Sequence, residues 1–123
     1  MRQIEIDLTA EKARPPAQPV GYVGEHNATE LLITIPRCMI DASDYQTVVF
    51  QSGPLIFRSR RIYSDSDRNG AYREGECIHC LLGRHLTEEQ RLGLQVEAYK
   101  LGENGEPVLV GKTAFIPRLT LMA

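Results

Sequence analysis

The chain has 123 residues, enough for one hydrophobic core and too few for two, so a catalytic domain paired with a separate binding domain is excluded. Lys and Arg number 14 against 16 Asp and Glu, a formal net charge of −2 that favours neither nucleic acid nor an anionic membrane as partner. With 42% hydrophobic and 24% charged residues, the composition is that of a globular protein rather than a disordered one.

No apolar run approaches the about 20 residues that span a bilayer, and Met1 to Leu8 lacks the basic-then-apolar order of a signal peptide, so synthesis in a cytosol without export by the usual route is expected. Three cysteines is an odd count, and Cys77 and Cys80 lie too close together to staple a small domain. Reduced thiols are expected.

In chain order, Ile4, Ile6 and Leu8 alternate with Gln3, Glu5 and Asp7, which predicts a strand with one wet face. Thr9 to Pro19 carries Pro15, Pro16 and Pro19, which cannot donate ladder hydrogen bonds, and reads as an extended arm or loop. Thr29 to Ile35 is a second strand, ended by Pro36. Tyr45 to Gln51 and Leu55 to Tyr63 flank Ser52-Gly53-Pro54 as a hairpin. A polar loop from Ser64 to Glu76 leads to a strand at Cys77 to Leu82. The one predicted helix is a single turn at Thr87 to Arg91, where Thr87 and Gln90 have the spacing of a capping box. Leu92 to Leu101 is the clearest inner strand, Asn104-Gly105 is a hairpin turn before Val108 to Ile116, and Leu119 and Leu121 suggest a short last strand. About seven or eight short strands with turn signals roughly every 8 to 12 residues predict an all-β fold, a single antiparallel immunoglobulin-like β-sandwich over residues 1–123.

Several motifs invite chemistry. Asp65, Asp67, Asn69 and Glu76 stand where an EF-hand loop supplies oxygen ligands around Gly70. The flanks are strand-like, however, and Arg73 sits where a water-mediated ligand is usual, so an exposed turn loop is preferred and Ca2+ is the alternative. Cys77-Ile78-His79-Cys80, with His85 and Cys38, suggests zinc, but alternation in a strand turns Cys80 away from Cys77 and His79, and no second CxxC is present. Neither a nucleophile elbow nor a phosphate-binding glycine loop occurs, and a non-enzymatic protein without a cofactor is expected. Glu25, His26 and Asn27, between Gly24 and the strand at Thr29, read as a structural turn, with contact to a neighbouring subunit as the functional alternative. Arg58, Arg60 and Arg61 form a small basic cluster, read as a solvated strand face that could pair with a partner's carboxylates.

The run from Val20 to Thr29, followed by the strand Glu30 to Ile35, resembles the immunoglobulin-like amino-terminal domain of phage baseplate upper and tail-fibre proteins from phages of Gram-positive hosts. The aromatic strand ending at Phe50, the basic segment Arg58 to Arg61, the Leu86-Thr87 turn and Leu94 to Tyr99 match as well, so the resemblance covers most of the chain. It implies a virion structural protein, made in the bacterial cytoplasm, that docks on or decorates tail, baseplate or capsid through other virion proteins and further copies of itself. Proteins of that family usually continue into coiled, collagen-like or receptor-binding segments, whereas the last predicted strand here ends near Ala123, so docking rather than receptor binding is expected. A carbohydrate-binding module is a competing reading, weakened by the absence of tryptophan and by 7% aromatic residues; a calcium-stabilised adhesive module is another.

Overall fold

A computed structural model describes residues 1–63 and 71–123. Among the described residues ten strands form two sheets. The smaller has the order β1 (Arg2–Asp7), β3 (Thr29–Thr34), β7 (Cys77–Leu81), β6 (Ala71–Glu74). The larger has the order β2 (Gly21–Tyr22), β10 (Ile116–Met122), β8 (Arg91–Leu101), β4 (Tyr45–Ser52), β5 (Leu55–Arg58), with β9 (Pro107–Lys112) pairing the far half of β8.

Period-two alternation buries one face of each sheet. Ile4 and Ile6, with Leu8 just past β1, Leu31 and Ile33 of β3, and Ile78 and Cys80 of β7 join Val48 and Phe50 of β4, Leu92, Leu94 and Val96 of β8, and Ile116, Leu119 and Leu121 of β10 in one apolar cluster. The molecule is therefore an all-β sandwich.

The sheets are mixed rather than purely antiparallel. β1 runs parallel to β3, from Arg2 opposite Thr29 to Asp7 opposite Thr34, and β2 runs parallel to β10. The cause lies in the Thr9–Pro19 segment. A parallel pair needs a crossover connection, and this proline-rich stretch leads from β1 in one sheet to β2 at the edge of the other before the chain returns to β3.

The predicted helical turn at Thr87 to Arg91 does not form. A 3-10 turn covers Arg84–Leu86 instead, and the Thr87 hydroxyl closes its C-terminal end by donating to the carbonyls of Arg84 at 3.2 Å and Glu25 at 2.7 Å. A long-range partner for the hydroxyl overrides the local capping pattern. A short helix, α1 (Arg37–Asp41), follows Pro36 and carries an Arg37–Asp41 ion pair at 3.3 Å. β6 was also not foreseen. Its residues lie in the stretch expected to be loop, yet Gly75, at φ 59°, turns the chain so that Tyr72 pairs with His79 and Glu74 with Cys77. Among the described residues no helix is long and apolar enough to cross a membrane.

Candidate functional site

The outward face of the larger sheet is built around one acid. Leu92, Leu94, Val96 and Ala98 point into the core, so alternation places Gln95, Glu97 and Tyr99 outside. Glu97 is nevertheless only 5% exposed, because its neighbours lie over it. Its Oε1 accepts from Arg58 Nε at 3.0 Å and from the Tyr99 hydroxyl at 2.9 Å, and its Oε2 lies 3.8 Å from Lys112 Nζ. Burial pushes the Glu97 pKa up, but the hydrogen bonds from Arg58 and Tyr99 and the charges of Arg58 and Lys112 outweigh it and leave the carboxyl below its ordinary value. Directly opposite, in register, stands Thr47, whose buried Oγ1 has no hydrogen-bond partner among the described residues.

Substituting Glu97→Gln is expected to cost about 1–3 kcal/mol, toward the low end because Arg58 and Lys112 are each about half exposed and regain water. A carboxyl whose folded pKa is depressed adds stability at pH above its ordinary value of 4.5 and loses it as pH falls through the folded value. Wild-type stability should therefore decline below about pH 4.5, and denaturant titrations against pH should show a shallower acid limb in the variant.

The three arginines of the basic cluster do not share one surface. Arg58 faces out opposite Val49, and Ser59 pairs with Val48 through two bonds of 2.9 Å: its N–H donates to the Val48 carbonyl and its Oγ accepts from the Val48 N–H. The ladder then resumes at Ile62 opposite Gln46. Two steps along β4 thus match three on the partner, and the extra residue is a bulge that brings Arg61, rather than Arg60, back to the outward face. Arg61 lies 4.7 Å over the Tyr45 ring and is hydrogen-bonded to Tyr63. Tyr45 in turn stacks on Tyr99 at 5.4 Å and 16°, and meets Tyr63 at 5.5 Å. The face is a plate of interlocked aromatic and cationic side chains. Its central acid, Glu97, was missed in the sequence; the available signal was a charged residue at an outward position of the most apolar strand.

Arg60 is exposed beside a cleft of about 370 Å³ that is lined by Arg58, Ser59 and Arg60 of one sheet's margin and by residues of β6 and β7 of the other sheet. Phe50, Phe57, Ala71, Cys80 and Leu86 also line it, with His85 edge-on to Phe57 at 5.0 Å.

Glu25, His26 and Asn27 form an interlocked corner. Glu25 Oε1 accepts from the Tyr22 backbone N–H at 2.6 Å and from Arg2 Nη1 at 3.0 Å, and these bonds hold its carboxyl below the ordinary value. His26 Nδ1 accepts from the Arg84 N–H at 3.0 Å. Asn27 has φ 53°, the left-handed region that asparagine tolerates, and its N–H donates to the Leu82 carbonyl at 2.9 Å. All three residues tie the β2–β3 turn to the Leu82–Thr87 segment within the chain, and the His26 and Asn27 side chains remain exposed.

In β7, Cys77 and His79 face outward while Cys80 joins the core, the opposition that strand alternation requires. His79 stacks on Tyr72 at 4.5 Å and lies 3.6 Å from Glu30 Oε1. Among the described residues no three His, Cys, Asp or Glu side chains gather where they could hold a metal. The calcium candidates Asp65, Asp67 and Asn69 lie outside the described residues, and Glu76 is exposed in the β6–β7 turn.

Burial pushes the Cys80 thiol up to about 12, with the Glu30 charge adding to it, and burial also raises Cys77. Cys38 is exposed. A disulfide reagent at neutral pH should therefore label Cys38 first and Cys77 more slowly, and reach Cys80 only on unfolding, an order readable by mass spectrometry of time points.

Compared with protein-family models, with curated proteins and with solved structures, the chain gives no match in any of the three, so its function is argued from its own residues.

Proposed function

We propose that this chain is a non-enzymatic structural module of a phage virion, an immunoglobulin-like sandwich that docks on or decorates the tail, baseplate or capsid through protein contacts. The observation that carries the reading is the outward face of the larger sheet, where Arg58, Glu97, Tyr99, Tyr45 and Arg61 are locked to one another. Side chains already held in one geometry lose little entropy on meeting a partner, and Arg and Tyr are the residue types enriched at interface centres. The open outer edge of β9, with Val108, Leu109 and Val110 each more than 40% exposed, adds a second surface of the kind that accepts another strand. Other virion proteins and further copies of the chain are the partners, and the assembled particle is the location.

The test is immunogold labelling and peptide mass spectrometry of particles released from cells carrying the gene. Label at the tail, baseplate or capsid supports the reading. Its absence from purified particles, with the protein present in the lysate, overturns it.

A further inference from the structure

The two outward faces of the sandwich carry opposite charge. On the smaller sheet, the outward positions of β1, β3 and β6 include Glu5, Asp7, Glu30 and Glu74, and no Lys or Arg. The two arginines of these strands point the other way: Arg2 reaches Glu25 and Thr29 at the corner, and Arg73 donates to Gln46 at 3.0 Å and to the Gly75 carbonyl at 2.5 Å. Between the carboxylates lie half-buried Leu32, Leu81 and the stacked Tyr72–His79 pair.

On the larger sheet the outward positions hold Arg58, Arg91 and Lys112, and Arg61 lies over Tyr45. The one carboxylate among these strand positions, Glu97, is buried beneath Arg58 and Lys112. Exposed Ile56 and Phe115 supply apolar area, and Phe115 sits so close over Gly93 that a Cβ there would meet its ring at 2.9 Å.

We infer that copies of this chain stack head to tail, the basic aromatic face of the larger sheet of one copy against the acidic face of the smaller sheet of the next. Charge decides the geometry. A two-fold dimer through either face sets like charges against like, whereas a heterologous contact pairs each cation-bearing face with a carboxylate-bearing one. The faces lie on opposite sides of the core, so one copy cannot satisfy both itself, and repetition of the contact gives a ring if the rotation closes and a filament if it does not. The inference extends the structural-module reading, on which it rests for its biological setting, by naming which surfaces meet.

Sedimentation velocity of the purified full chain over a concentration series is the test. Association is expected at about 0.1 M salt and should weaken at least about tenfold at about 1 M, where the Debye length falls from roughly 10 Å to roughly 3 Å. Arg61→Glu with Arg91→Glu replaces two cations of one face with carboxylates, and Glu5→Lys with Asp7→Lys replaces two of the four carboxylates of the other with cations. Each double variant should sediment as a monomer, and an equimolar mixture of the two should recover a complex, because the acidic face kept by the first complements the basic face kept by the second. Arg91→Glu alone, at an exposed strand position clear of the Tyr45 stack, guards against a folding defect, and a β-type circular dichroism spectrum accompanies every variant.

A wild type that stays monomeric at both salts, association that survives both reversals, or folded variants that fail to combine would each overturn the inference. So would a monomer whose basic face takes up a single-stranded oligothymidylate, which would assign that face to nucleic acid. The measurement uses the protein alone. Absence from virions would therefore leave a positive result standing, and a monomeric protein found in virions would sink only the stacking.

Discussion

Leu94→Ala is expected to destabilise the fold by about 3–5 kcal/mol, against the about 5–15 kcal/mol that holds a domain of this size together. Leu94 is fully buried in β8, the strand that pairs with β4, β9 and β10, and stands in register between Phe50 and Ile116. Its truncation leaves a cavity bounded by paired strands on both sides, which cannot close without breaking ladder hydrogen bonds. The loss is therefore the transfer free energy of the deleted methyl and methylene groups plus most of the cavity cost. Thermal unfolding should shift down by roughly 10–25 °C. Leu55→Ala, at a position 56% exposed, should change the midpoint by no more than about 0.5 kcal/mol of stability. Equal effects at the two sites would contradict a core centred on β8.

Gly21→Ala is expected to cost about 2–4 kcal/mol, from two separable sources. The backbone at Gly21 has φ 155°, which L-residues rarely adopt, and a Cβ there would lie 2.9 Å from Glu25 Oε1, 3.0 Å from Arg2 Nη1 and 3.2 Å from Thr29 Oγ1. None of those atoms is free to retreat. Arg2 bridges Glu25 and Thr29, Glu25 also holds the Tyr22 N–H, and Thr29 Oγ1 donates to the Val20 carbonyl at 2.6 Å. Gly24→Ala provides the comparison, because Gly24 has φ 88° with open space around its missing Cβ and should lose only about 1–2 kcal/mol through backbone strain. Amide exchange localises the damage: the Asn27 and Val23 amides, bonded to the Leu82 and Met122 carbonyls, should lose protection in Gly21→Ala while the β4–β8 ladder keeps it. Uniform loss across both sheets would mean that the corner is not a separate cooperative element.

The sequence by itself determined the strands that form the core and which of their residues point inward, because period-two burial is a local property. Ile4, Leu31, Ile78 and Leu94 are each marked by polar or chain-reversing neighbours within a few residues. The opposed directions of Cys77 and Cys80 were legible for the same reason, and so was the hairpin at Ser52-Gly53-Pro54.

Only the tertiary structure decided where the strands go and which surface residues meet. The parallel pairing of β1 with β3 depends on a crossover whose destination no residue in Thr9–Pro19 encodes. Thr87 abandons its capping pattern for the Glu25 carbonyl, 62 positions away in sequence. The split of Arg58 and Arg61 from Arg60 rests on one extra residue opposite β4, and the Glu97 cluster joins residues of β5, β8 and β9 that no spacing relates. Inward positions are set by contacts between a side chain and its own neighbours. Long-range ion pairs, ring stacks and the sign of each face are set by strand order and register, which exist only once the sheets have assembled.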